Sequence, residues 1–152
     1  MRLSYSGSPE VTAPRAVVWQ RLLDAEFVAA SAPGVERVER VGDNRFNVIS
    51  AVGIGAIKLH FTLEVELLAL TPPEHVVMRA HGNAPGTTVD VAAIIDLVEA
   101  GPGRTTMNWR SDCDVGGTLA SIGGRLLDGM AQKLTEQFWL DFARRAGAAA
   151  AA

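Results

Sequence analysis

Much of what a catalytic or metal centre is built from is scarce in this sequence. Its 152 residues hold one cysteine, Cys113, and three histidines. A lone cysteine excludes a disulfide framework within the chain and fits a reducing cytoplasm. His60, His75 and His81 fall on polar strand faces or just after a turn, and no two stand at ligand spacing with a third ligand nearby. They read as solvated surface residues, and no metal site is expected. No Gly-x-Ser-x-Gly elbow and no phosphate loop is present.

Charge is equally sparse. Charged residues make up 20% of the chain and the formal net charge is -3, so there is no basic field to hold nucleic acid. No run reaches the roughly 18 apolar residues of a membrane-spanning helix, and Met1 to Tyr5 begin no signal-peptide core. The expected location is cytoplasmic, or peripheral at the inner face of the membrane.

What the chain does have is apolar residues, 48% of the total, in well-ordered patterns. A chain of this size buries roughly 70% of its unfolded surface. One domain over 1–147 is expected, followed by an alanine-rich tail at 148–152. Leu3, Tyr5 and Val11 mark a first strand over 2–12, interrupted at Pro9. Thr12, as a cap, and Pro14 open a helix to Asp24, and a second short helix covers Ala25 to Ser31 before Ala32-Pro33-Gly34 stops it.

Six strands follow. Val35 to Val41 turns at Gly42-Asp43-Asn44. Phe46, Val48, Ser50, Val52 and Ile54 alternate into a hairpin at Gly53 and Gly55. Ile57, Leu59, Phe61, Leu63, Val65 and Leu67 then share one face, opposite Lys58, His60, Thr62, Glu64 and Glu66. Val76, Met78 and Ala80 alternate after a turn at Thr71-Pro72-Pro73-Glu74, and Gly82 to Gly86 breaks the chain. Val89, Val91, Ala93, Ile95 and Leu97 face inward, as do Thr105, Met107, Trp109, Ser111, Cys113 and Val115. Beyond Gly116-Gly117, with Thr118 as a cap, Leu119, Ile122, Leu126, Met130, Leu134, Phe138 and Phe142 recur every three or four residues. That spacing predicts a helix of about 28 residues with one apolar stripe. Hairpin succession implies an antiparallel sheet, and its dry face suits that stripe, so the expected fold is α+β: about seven curved strands around a long C-terminal helix, with two short helices after strand 1.

One helix does not easily fill so curved a sheet, and the small inward residues Ser50, Ala80, Ala93 and Ser111 leave space. An apolar cavity is therefore expected. Its predicted lining is Ile57, Leu59, Phe61, Met78, Ala80, Val91, Ala93, Met107, Trp109, Leu126, Met130 and Leu134. No catalytic residue is assigned. Cys113 reads as a small buried hydrophobe, Asp112 and Asp114 as a solvated pair, and Arg125 with Asp128 as a surface i,i+3 pair. Ser50, Ser111 and Tyr5 are the only polar groups on apolar faces that could serve an enzyme. The adjacent Gly123 and Gly124 weaken the start of the long helix, either to let another backbone approach or to leave that end loose.

Several stretches together carry a family pattern: Ala13-Pro14 with Val18-Trp19 and Leu22; Ala29-Ala30 then Ala32-Pro33-Gly34; Val52 to Gly55 with Lys58; Pro72-Pro73-Glu74; Val115 to Ala120 with Ile122-Gly123; and Arg125 to Asp128 with Phe138. The chain resembles the CoxG-like family, named for the G component of carbon monoxide dehydrogenase, within the START/Bet v1-like (SRPBCC) superfamily. The resemblance implies a helix-grip fold with a tunnel-like cavity for a lipid-like or quinone-like molecule. It also implies association with a molybdenum hydroxylase of the carbon monoxide dehydrogenase type, recruited to the membrane. The resulting expectation is a non-catalytic carrier with no cofactor of its own beyond a bound quinone or lipid-like molecule. The alternatives are a cyclase or hydrolase of the same superfamily, and a ligand-free adaptor for an oxidoreductase.

Overall fold

Strict alternation of apolar and polar residues lays down an antiparallel sheet that dominates the computed structural model. The structure describes residues 1–54 and 57–151, with backbone alone for Val52, Ile54, Ile57, Leu59, Leu119 and Ile122. The strands are β1 (Arg2–Gly7), β2 (Glu10–Val11), β3 (Val35–Gly42), β4 (Arg45–Ile54), β5 (Ile57–Thr71), β6 (His75–Ala84), β7 (Thr87–Gly101) and β8 (Arg104–Gly117). They pair in the order β1-β8-β7-β6-β5-β4-β3, and β2 also pairs with β8. Two short helices, α1 (Arg15–Leu22) and α2 (Ala25–Ala29), follow β2, and the long helix α3 (Gly124–Ala151) closes the chain.

The expected first strand is thus two pieces, because the chain bends at Ser8-Pro9, where the Pro9 carbonyl accepts from the Met107 amide. The break expected over Gly82 to Gly86 is confined to a turn at Pro85-Gly86: β6 runs on to Ala84 and pairs with β7 down to Ala84–Thr87. The hairpin expected around Gly53 and Gly55 falls partly on residues outside the described set, although β4 and β5 pair as far as Ile54–Ile57. In β5 the register with β6 slips between Leu68 and Thr71, where Ala69 takes φ 48°. Such a bulge bends a strand and helps the sheet curve.

Thr12 does not cap α1. Pro14 takes that position, and its carbonyl accepts from the Val17 and Val18 amides. Asp24 caps α2 by accepting from the Phe27 amide. Nor does Thr118 cap the long helix. Gly117 (φ 80°) turns the chain out of β8 into a 3-10 turn, Thr118–Ile122, at a point where a Cβ would lie 2.0 Å from the Gly86 carbonyl oxygen. Gly123 (φ 113°) makes the second turn into α3. A Cβ there would meet nothing within 4 Å, so backbone conformation and not close approach calls for glycine.

α3 carries the main correction to the expected pattern. Its buried face is Leu127, Trp139, Phe142, Ala143, Ala146 and Gly147. Leu126, expected on that face, is 57% exposed, and Leu134 is 36% exposed. The expected stripe advances almost wholly in steps of four, and each such step overshoots a full turn by about 40°. From Leu126 to Phe142 the drift is about 160°, which carries Leu126 to the opposite side of the helix.

Candidate ligand crevice

The concave face of the sheet divides into two regions. At one end, α1 and the second half of α3 press onto the start of β6, the end of β7 and the start of β8. Val11, Val18, Ile95, Thr105 and Met107 are all 0% exposed there, and the Thr105 hydroxyl donates to the Ala13 carbonyl at 2.8 Å. Phe142 stands edge-on to Phe27 and to Trp139, and Trp139 stacks on Trp109 with centroids 6.2 Å apart. This region is dry, close-packed core.

Toward the other end the packing loosens. Leu63, Met78, Ala80, Val89, Val91 and Cys113 lie on the same concave face, and Met130, Ala131 and Phe138 lie on the flank of α3. All nine stay only half-buried. Inward residues that keep accessible surface make fewer packing contacts than a sealed core does. The register shows why. The row Val65–Ala80–Val91–Cys113–Leu3 and the row Leu67–Met78–Ala93–Ser111–Tyr5 cross the sheet with small residues at their middles.

Of the twelve residues expected to line a cavity, Met78, Ala80, Val91 and Met130 fall in this loosely packed region. Phe61, Ala93 and Trp109 are buried at its borders. Met107 is corrected: it is wholly sealed in the dry end, with no space beside it for a ligand. Leu126 is corrected because it faces solvent, while Leu134 sits at the rim of α3. The side chains of Ile57 and Leu59 lie outside the described residues.

Polar links tie α3 over this face. The Tyr5 hydroxyl donates to Asp128 Oδ1 at 2.6 Å, joining β1 to the first turns of the helix. Burial, with the Asp128 carboxylate beside it, raises the Tyr5 pKa and keeps the phenol protonated. Asp128 is therefore a clamp residue and not simply half of a surface pair with Arg125. At the far end Arg145 donates to the Phe27 carbonyl at 2.6 Å and to the Ser31 hydroxyl, pairs with Asp141 at 3.0 Å, and stacks over the Phe27 ring. Sequence reasoning does not find this latch. The Asp141-x-x-x-Arg145 spacing shows the pair, but nothing in sequence shows the reach to α2.

Cys113, expected to be buried, is half-buried, and burial pushes its thiol up to about 11. Asp112 lies on the outer face, where the Ser4 hydroxyl and nearby Arg110 and Arg2 hold its carboxyl below the usual range. His81 Nδ1 donates to Asp90 at 2.5 Å and His75 Nδ1 to Asp96 at 2.6 Å, both across β6 and β7 on the outer face. Among the described residues no group of three or more His, Cys, Asp or Glu could hold a metal ion. No described helix is long and apolar enough to cross a membrane.

A curved antiparallel sheet gripping a long C-terminal helix is the helix-grip arrangement of the START/Bet v1-like class, whose members include ligand-binding carriers. Residues 7–147 match the family model of CoxG, the G component of carbon monoxide dehydrogenase, and the chain belongs to that family. The solved structure of a conserved protein from Geobacillus kaustophilus superimposes with a TM-score of 0.85 at 26% identity, over 95% of each chain. An aromatase/cyclase from a Streptomyces species gives 0.70 at 17% identity, covering 99% of this chain and 94% of that one. A START superfamily protein from Mycobacterium smegmatis gives 0.67 at 16% identity, over 92% of each chain. These last two show the fold alone. No curated protein matches the sequence.

Proposed function

We propose that this protein is a non-catalytic carrier that holds an apolar, lipid-like or quinone-like molecule between α3 and the loosely packed part of the sheet. The reading includes service to a molybdenum hydroxylase of the carbon monoxide dehydrogenase type, which rests on family membership. One observation carries the ligand: nine apolar residues that face the interior remain half-buried while the other end of the same face is sealed. A mostly apolar concavity with few polar groups suits an apolar guest. The two titratable groups on this face, Tyr5 and Cys113, are both held in their neutral, protonated forms, which favours storage over acid-base chemistry.

Native mass spectrometry of the purified protein, followed by solvent extraction, tests this directly. A stoichiometric quinone or lipid is the expected result. A clean mass that stays unshifted with added quinones and neutral lipids would count against the carrier.

A second reading has its own support. Leu126, Leu134 and Leu140 are all exposed along α3, and exposed apolar side chains on one helix mark docking surfaces. In that reading the protein is an adaptor for an oxidoreductase, and co-purification of the partner without any small molecule would favour it.

A further inference from the structure

Ser111 is 4% exposed on the concave face of β8, between Tyr5 of β1 and Ala93 of β7 in register. Its hydroxyl makes no hydrogen bond to any described residue. It is not walled in either: among the described residues the one buried side-chain polar atom without a partner is Arg15 Nε. The Ser111 oxygen therefore keeps a little accessible surface, at the border where the sealed end meets the half-buried end. Its strand neighbours on that face are Trp109 and Cys113. Thr105 is already bonded to Ala13, and the other buried hydroxyls, Ser50 and Thr87, stand three rows away.

The charges around this point are one-sided. The half-buried cations are engaged elsewhere: Arg15 beside Glu74 and Glu99, Arg21 over the Phe27 ring, and Arg145 in its latch. The charged group tied to the Ser111 row is the Asp128 carboxylate, held through Tyr5. An anionic headgroup placed here would be desolvated without a counter-charge and would meet a like charge. A neutral oxygen would meet a hydroxyl able to donate one hydrogen bond.

We infer that Ser111 is the polar stop of the crevice and that the ligand is an uncharged apolar molecule whose carbonyl oxygen accepts from the Ser111 hydroxyl, with carboxylates rejected. This rests on the carrier reading and narrows it.

The test is tryptophan fluorescence titration, which Trp109 and Trp139 report, with three probes of equal chain length: an n-alkane, a methyl ketone and a fatty acid, at pH 8. The ketone is expected to bind about tenfold tighter than the alkane, the effect of one neutral hydrogen bond, and tighter still than the fatty acid. Ser111→Ala should remove the advantage of ketone over alkane, and Ser111→Thr should keep it. Equal binding of ketone and alkane, an unchanged ratio in Ser111→Ala, or fatty acid binding as tight as ketone overturns the assignment and leaves the carrier standing. If none of the three binds, both readings fall. The ranking on the unmodified protein decides even where a variant folds poorly.

Discussion

The two ends of the concave face are made from the same kinds of residue and behave differently. At the dry end Met107, Ile95 and Val76 are sealed under α1 and the aromatic cluster of α3. At the other end Met78, Ala80 and Val91 sit on neighbouring strands of the same sheet and stay half-buried. Composition does not separate them, since methionine, alanine and valine or isoleucine occur in both. What separates them is coverage. α1 and the second half of α3 reach one end, while over the other lies the start of α3, reached through Gly117, a 3-10 turn and Gly123 and tied to β1 by the Tyr5–Asp128 bond. Burial is complete where the helices pack and partial where they do not.

Substitution should expose this contrast most strongly in large-to-small changes. Met107→Ala is expected to cost about 3 kcal/mol by urea unfolding, within the usual range for a sealed core methionine, and Met78→Ala roughly 1 kcal/mol or less, because its surroundings already hold space. Equal costs would mean that both ends are packed alike. The reverse change sharpens the comparison. Ala93→Leu, at a fully buried position, should lose about 1–3 kcal/mol through overpacking. Ala80→Leu should be near neutral for folding and should block ligand uptake, which extraction of the purified variant would show.

Smaller effects belong to the clamps. Tyr5→Phe removes the hydroxyl bonded to Asp128 and should cost about 1 kcal/mol, read as a lower urea midpoint and faster amide exchange in the first turns of α3. The smallest lies on the outer face. The hydrogen bond to Asp90 raises the His81 pKa above its ordinary 6.5. A raised folded-state value gives stability that is complete below 6.5 and fades as pH climbs through the folded value. The urea midpoint should therefore fall slightly above neutral pH, and His81→Gln should flatten that part of the profile. Because the ring is largely solvated, the change is screened.

The strands are readable in the sequence because a period of two leaves little choice. Once Phe61, Val65 and Leu67 face inward, Glu64 and Glu66 must face out, and they do. The long helix is readable in existence and length but not in rotation. A run of four-residue steps looks like a stripe in the sequence yet winds round the helix, so Leu126 and Leu134 read as neighbours of Phe142 although only Phe142 meets the core. The crevice is legible as a face and not as a place. Alternation puts Met107 and Met78 on the same side of the sheet, but nothing local says which one the helices will seal. Asp128 and Arg145 depend on partners 123 and 118 residues away in the chain, a separation no periodicity reveals.

The Arg145 latch has a mechanical consequence. It pins α3 to α2 near one end of the helix, while the other end begins at the Gly123 turn. Leu127 lies about 27 Å from that pin at 1.5 Å of rise per residue. At that end the Tyr5–Asp128 bond and the buried Leu127 hold the first turns, so α3 is a strut tied at both ends and not a lever with a free end. A rod tied at both ends resists tilting, so cutting either tie, the Arg145 latch or the Tyr5–Asp128 bond, is what would let the opposite end act as its pivot.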